Sequence, residues 1–213
     1  MDLNLQNKIV IVSRIAGRLD ESLIKMLAAE NAVTVVIDNE AGDLKMNEAF
    51  TSSGVKYLKI AGDLSDPQSC KAAIEKILEH TNSIYGLINT MSGYNNPALE
   101  TGSNEQFMAS LHNILIPHYL LVQHALPALK LSGGTIVNSI SNNADTGDGG
   151  SVYAAVNDGI KALTREWAVD LLKYHIRVNA VLAEKLNEEA ANTIAFLLSE
   201  KSSHTTGQIV NCS

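Results

Sequence analysis

The stretch KIVIVSRIAGRLDESLIKMLAAE, from Lys8 to Glu30, decides how this chain is read. Ile9 to Val12 is a short β-branched run with the composition of a buried strand. A turn follows it. Beyond the turn Leu23, Met26 and Leu27 share one face at helical spacing. The segment therefore reads strand, turn, helix, the unit in which a glycine-rich turn commonly brings backbone amides against phosphate. Here the turn holds one glycine, Gly17, set among Arg14, Arg18 and Asp20.

The same alternation continues outward from this unit. Further β-branched runs occur at Val33–Ile37, Val55–Ile60, Ile84–Asn89, Thr135–Ile140, Ile176–Val181 and Gln208–Asn211. Between them lie helical patterns. PQSCKAAIEKILEH groups Cys70, Ala73, Ile74, Ile77 and Leu78, with Pro67 suited to the first turn and Ser65 or Asp66 to the cap. Asn113–Leu131 is apolar on most sides and predicts a buried or interfacial helix; Ser151–Tyr174 predicts another long one. Short apolar strands alternating with helices predict a doubly wound, Rossmann-type α/β fold with a parallel sheet covered on both faces. Residues 1–213 form a single domain in this reading. Ligands in such a sheet sit beyond the carboxyl ends of its strands. That points to Ser13 to Gly17, Asp38, Gly62 to Leu64, Asn89 to Gly93, Ser141, and Ala183 with Glu184.

Composition narrows the class. Of 213 residues 46% are hydrophobic and 18% charged, an ordinary globular balance, and the net charge is −7. A chain this acidic is not expected to bind nucleic acid or anionic membranes. Its two cysteines, Cys70 and Cys212, fit free thiols better than a disulfide framework. The first eight residues carry no apolar core and no apolar run reaches spanning length, so a soluble cytoplasmic protein is expected.

KIVIV, GDLSDP, LIN, ALPAL, GGTIVNSIS, YAAVNDGIKALTREWAVDLLKYHIRVNAV and SSHTTGQIV occur in that order. Together they resemble the short-chain dehydrogenases/reductases over nearly the whole chain, with a feel closest to members of the L-fucose dehydrogenase type. The resemblance implies a seven-stranded sheet and an NAD or NADP cofactor. It also implies hydride transfer to or from an alcohol or sugar carbon, and a homodimer or homotetramer packed through the two long helices. By that resemblance Tyr153 is the proton-transferring tyrosine, Ser141 holds the substrate oxygen and Asn113 positions a relay water. Asp38 binds the adenosine ribose and favours NAD, Asp63 and Leu64 contact adenine, and Asn89 opens the NNAG-like stretch, in which Thr90, Met91 and Ser92 replace the rest.

Three departures stand against that family pattern. The tyrosine motif expects a lysine four residues on, where this chain has Asn157. An unperturbed tyrosine is only about 0.1% phenolate at neutral pH, and the lysine's charge is what raises that fraction. Lys161 lies one helical turn further along and is expected to point elsewhere. The family's three turn glycines fall on Arg14, Arg18 and Asp20, where side chains would fill the pyrophosphate space and Asp20 would repel it. After Glu184 the chain runs almost directly into the next helix, with no substrate lid. The expectation is an oxidoreductase-family member that is inactive or weakly active. The alternative is a binding or structural subunit, alone or beside an active paralogue, or an anion-ligand binder.

Other features take the plainer reading. Arg14 and Arg18 are read as filling the cofactor cleft and pairing with Asp20, Asp38 or Asp63; the competing reading is a new anion site. His112, His118 and His124 are spaced by six and share no helical face, so no metal site is expected. Asp145 to Gly150, DTGDGG, lacks the distant glutamate of a calcium loop and reads as a loop before Tyr153.

Overall fold

The computed structural model describes residues 2–14, 21–38, 46–50, 52, 54–90, 99–141, 150–184 and 187–212. The β-branched runs form strands β1 (Ile9–Arg14), β2 (Val33–Asp38), β4 (Lys56–Ala61), β5 (Gly86–Thr90), β6 (Thr135–Ser141), β7 (Arg177–Ala183) and β8 (Ile209–Cys212). All seven are parallel to their neighbours within this set. An eighth strand, β3 (Asn47–Phe50), pairs antiparallel with β4, and the sheet order is β3-β4-β2-β1-β5-β6-β7-β8. The expected seven-stranded parallel sheet is thus extended by one antiparallel strand. NEAF at 47–50 has no apolar alternation to announce it; it is an edge strand supported on one side only.

Helices α1 (Glu21–Ala29) and α5 (Glu188–Leu198) bury Leu23, Leu27, Ala191 and Ile194 against Val10, Val12, Val36 and Ile88 on one face. Helices α2 (Pro67–Leu78), α3 (Asn104–Ser132) and α4 (Ser151–Asp170) cover the other. Asp66 is the cap of α2, accepting from the Ser69 amide at 2.6 Å, with Pro67 in the first turn. α3 begins nine residues before the expected Asn113. Ser103 and Gln106 form a reciprocal capping box there, and Phe107, Leu111 and Leu115, spaced by four, pack against the core. α4 stops at Asp170, and Leu172–Tyr174 is a separate 3-10 turn. At the far end of α3, Gly133 takes φ 57°, the left-handed backbone that ends helices at low steric cost.

Arg177, at the start of β7, ties the sheet to the end of α5. Its guanidinium donates to the Leu197, Leu198 and Ser199 carbonyls at 2.7, 3.2 and 3.0 Å, and to Ser202 Oγ at 2.9 Å. The last carbonyls of a helix have no partner of their own and carry its negative pole. Arg177→Met is therefore expected to lower unfolding free energy by about 3 kcal/mol, with Arg177→Lys recovering part of the loss. Denaturant titration checks this, and an unchanged midpoint for Arg177→Met would refute it.

Candidate active site

Strand register sets out one row across the carboxyl edge. Ala61 pairs with Asp38, Asp38 with Arg14, and Arg14 with Thr90. The row crosses the point where chain order reverses, between β1 and β5. At this crossing two strands are cross-linked by side chains. The Thr90 amide donates to Ser13 Oγ at 3.2 Å, and Thr90 Oγ1 donates to the Ser13 carbonyl.

A second buried chain of hydrogen bonds runs from β5 to α4. Asn89 Nδ2 donates to Asn138 Oδ1 at 2.9 Å, Asn138 Nδ2 donates to Thr164 Oγ1 at 2.9 Å, and Thr164 Oγ1 donates to the Ile160 carbonyl at 2.8 Å. Asn89 is completely buried, and its Nδ2 is taken up in this chain of bonds. Leu64 is likewise buried in the core. Asp63 stays exposed. Its carboxylate accepts from the Ser65 amide and hydroxyl at 2.9 and 2.7 Å, and these bonds hold its pKa below the usual carboxylate value. Asp38 is buried, and its Oδ2 lies 3.0 Å from Lys59 Nζ of β4.

The four positions expected to be catalytic each adjoin a member of one buried cluster. Ile114, Ile140, Val152 and Val156 belong to one buried cluster, and they adjoin Asn113, Ser141, Tyr153 and Asn157 respectively. Ser141 ends β6 beside Ala183 of β7; its side chain, like that of Arg14, lies outside the described part. Asn113 is exposed on α3. Pro117, four residues on within the same helix, has no N–H to close the helical bond onto the Asn113 carbonyl. Tyr153 is half-buried in the first turn of α4, and burial pushes its phenol pKa up. Asn157, one turn later, is 2% exposed. Lys161 Nζ is held by Asp158 Oδ1 at 3.1 Å, on the partly exposed side of α4.

The connection that would carry a lid is short. β7 ends at Ala183 and Asn187 caps α5 through the Ala190 amide at 2.9 Å, leaving residues 184–186 between them. Gly17, Arg18, Asp20, Met91, Ser92 and Asp145 to Gly149 lie outside the described residues. His112 is exposed, His124 half-buried and His118 fully buried. Among the described residues no three His, Cys, Asp or Glu side chains converge as a metal site would require. Cys70 and Cys212 are free, and burial, helped by Asp66, pushes the Cys70 thiol up to about 12. No helix among the described residues is long and apolar enough to cross a membrane.

Sheet order, edge row and helix pairing define a doubly wound dehydrogenase-type domain. The short chain dehydrogenase family model matches residues 8–196, and the chain belongs to that family. It is 28% identical over 240 aligned positions to a 7alpha-hydroxysteroid dehydrogenase of Bacteroides fragilis, covering 96% of this chain and 92% of the relative. It is 27% identical over 231 positions to a trans-4-hydroxycyclohexanecarboxylate dehydrogenase of Sinomonas cyclohexanicum, covering 94% and 89%. The crystal structure of Cj0485 dehydrogenase superposes with a TM-score of 0.84 at 27% identity, covering 99% of this chain and 94% of the other. Both alignments are longer than this chain of 213 residues, so each relative carries positions that this chain lacks.

The sequence missed Lys59, the Asn138–Thr164 link and the Ser13–Thr90 cross-bonds. A lysine inside the strand pattern KYLKIA was the one signal available for the first.

Proposed function

We propose that this short-chain dehydrogenase-family protein carries the architecture for NAD- or NADP-dependent oxidation of an alcohol or sugar but is severely impaired at proton transfer. Its working role is then that of a binding or structural subunit. The observation that carries this is the pairing of Tyr153 with Asn157. Burial raises the phenol pKa, and the buried position one turn later, where a cation would lower it, holds a neutral amide. The three-residue link 184–186 supports the same reading, because it is too short to cover a substrate. Asn113, Ser141, Tyr153 and Asn157 are the catalytic positions in this proposal, and Asp38, Asp63, Leu64 and Asn89 the cofactor-side ones. Asn89 and Leu64 act there through packing.

Assembly through α3 and α4, as a homodimer, a homotetramer or with an active paralogue, is part of the proposal. Met108, Ile116 and Tyr119 of α3 and Val169 of α4 stand exposed to water, which an apposed helix pair would relieve. Titration calorimetry with NAD(H) and NADP(H) tests the functional reading. Weak or no binding of the whole dinucleotides is expected, since Arg14, Arg18 and Asp20 replace the turn glycines. Micromolar binding together with turnover of secondary alcohols would sink it. Sedimentation equilibrium on the same samples reads the assembly, and a monomer at all concentrations would remove that part.

A further inference from the structure

At the end of β2 the expected carboxylate, Asp38, is paired with a cation from β4. Asp38 and Lys59 form an ion pair at 3.0 Å, yet the two side chains differ in access: Asp38 is 6% exposed and Lys59 27%. Lys59 lies on β4, where its backbone is in register with Val36, two rows below the Asp38–Ala61 pair and on the same face of the sheet. Its stem therefore runs up toward the strand end, and its ammonium covers the carboxylate. The lysine is the more exposed partner of the pair. On the other side Asp38 is in register with Arg14, a second cationic residue. This local balance is not a consequence of overall composition, because the chain as a whole carries a net charge of −7.

An acid at the end of this strand selects a free ribose by accepting from its hydroxyls and by repelling a phosphate, whereas a neighbouring cation accommodates a 2′-phosphate. Repulsion requires the acid's charge to be felt. An ammonium at 3.0 Å cancels most of it, and lysine is an effective point-charge partner for phosphate. We propose that Lys59 determines the preference of this subsite, turning it from a free adenosine ribose toward an adenosine bearing a 2′-phosphate. Lys59 is thus the specificity-determining residue and Asp38 its anchor. The inference rests on the reading of this strand edge as a dinucleotide site.

The test uses two fragments that stop short of the pyrophosphate turn, adenosine and adenosine 2′-phosphate, titrated against the full chain with amide chemical shifts as readout. Wild type is expected to bind the phosphate at least about fivefold tighter than adenosine, with shifts at the ends of β2 and β4. Lys59→Met should weaken the phosphate by about tenfold and leave adenosine within about twofold. Removing Lys59 leaves a buried acid without this partner and could unfold the chain. Asp38→Asn is therefore measured as well, and it should strengthen the phosphate relative to adenosine. Adenosine binding at this edge with the same preference in all three proteins would overturn the role of Lys59 alone. Failure of both fragments to bind at millimolar concentration would overturn the dinucleotide reading and the inference with it.

Discussion

Asn157→Lys is expected to lower the pKa of Tyr153 and still produce no measurable oxidation of alcohols or sugars. The first half follows from electrostatics. Burial disfavours phenolate at Tyr153, and a cation one helical turn away would favour it by about 1–3 pKa units. Tyrosinate absorbance, measured against a Tyr153→Phe background to remove the other tyrosines, reads that change. The second half follows from what a lysine cannot supply. General acid–base catalysis typically contributes about 10²–10⁴-fold, whereas a whole enzyme needs orientation and water exclusion besides. Residues 184–186 are too few to cover a substrate, and in the proposed reading Arg14, Arg18 and Asp20 still stand where the family resemblance implies turn glycines. Cofactor-dependent turnover by Asn157→Lys would show that the missing lysine was the only impairment. An unmoved Tyr153 pKa would show that position 157 does not face the phenol.

Acid is expected to remove about 3 kcal/mol of folding stability between pH 6.5 and 4 through His118 alone. His118 is completely buried in α3, and its Nδ1 lies 2.8 Å from the Ile114 carbonyl. Nε2 has no hydrogen-bond partner among the described residues. Burial depresses the imidazole pKa from 6.5 to about 4, while the Ile114 carbonyl opposes this more weakly. The sign follows from which state takes the proton. Below pH 6.5 the unfolded chain is protonated at this residue, and the folded chain resists until about 4. Stability is therefore fully present above 6.5, falls as pH drops through the window, and changes no further from this source below it. Carboxylates also titrate at low pH, so the informative quantity is the difference from His118→Leu. Urea titrations at several pH values should show the wild type losing stability faster than that variant across the window. Parallel curves would refute the assignment.

The sequence by itself determined the architecture and the places where chemistry would be sought. β-branched runs at regular spacing gave seven parallel strands, because each has to fill a core on both faces and must be apolar throughout. Amphipathic spacing gave the helices between them. Asn157 was legible as a departure because the resemblance to the family implies a lysine four residues after Tyr153, a purely local relation. β3 was not legible, since a polar four-residue edge strand carries no periodic signal and exists only through its pairing with β4. The early start of α3 rests on the capping box of Ser103 and Gln106 together with Phe107 and Leu111, which continue the apolar spacing toward the N-terminus. Tertiary structure alone decided which polar groups are taken. Asp38 meets Lys59, Asn89 meets Asn138, Asn138 meets Thr164, and Thr90 meets Ser13, over separations of 21, 49, 26 and 77 residues. Periodicity reports the face on which a residue lies. A hydrogen bond or ion pair depends on angstrom-scale approach between strands that register brings together, and that distance has no counterpart in the order of residues along the chain.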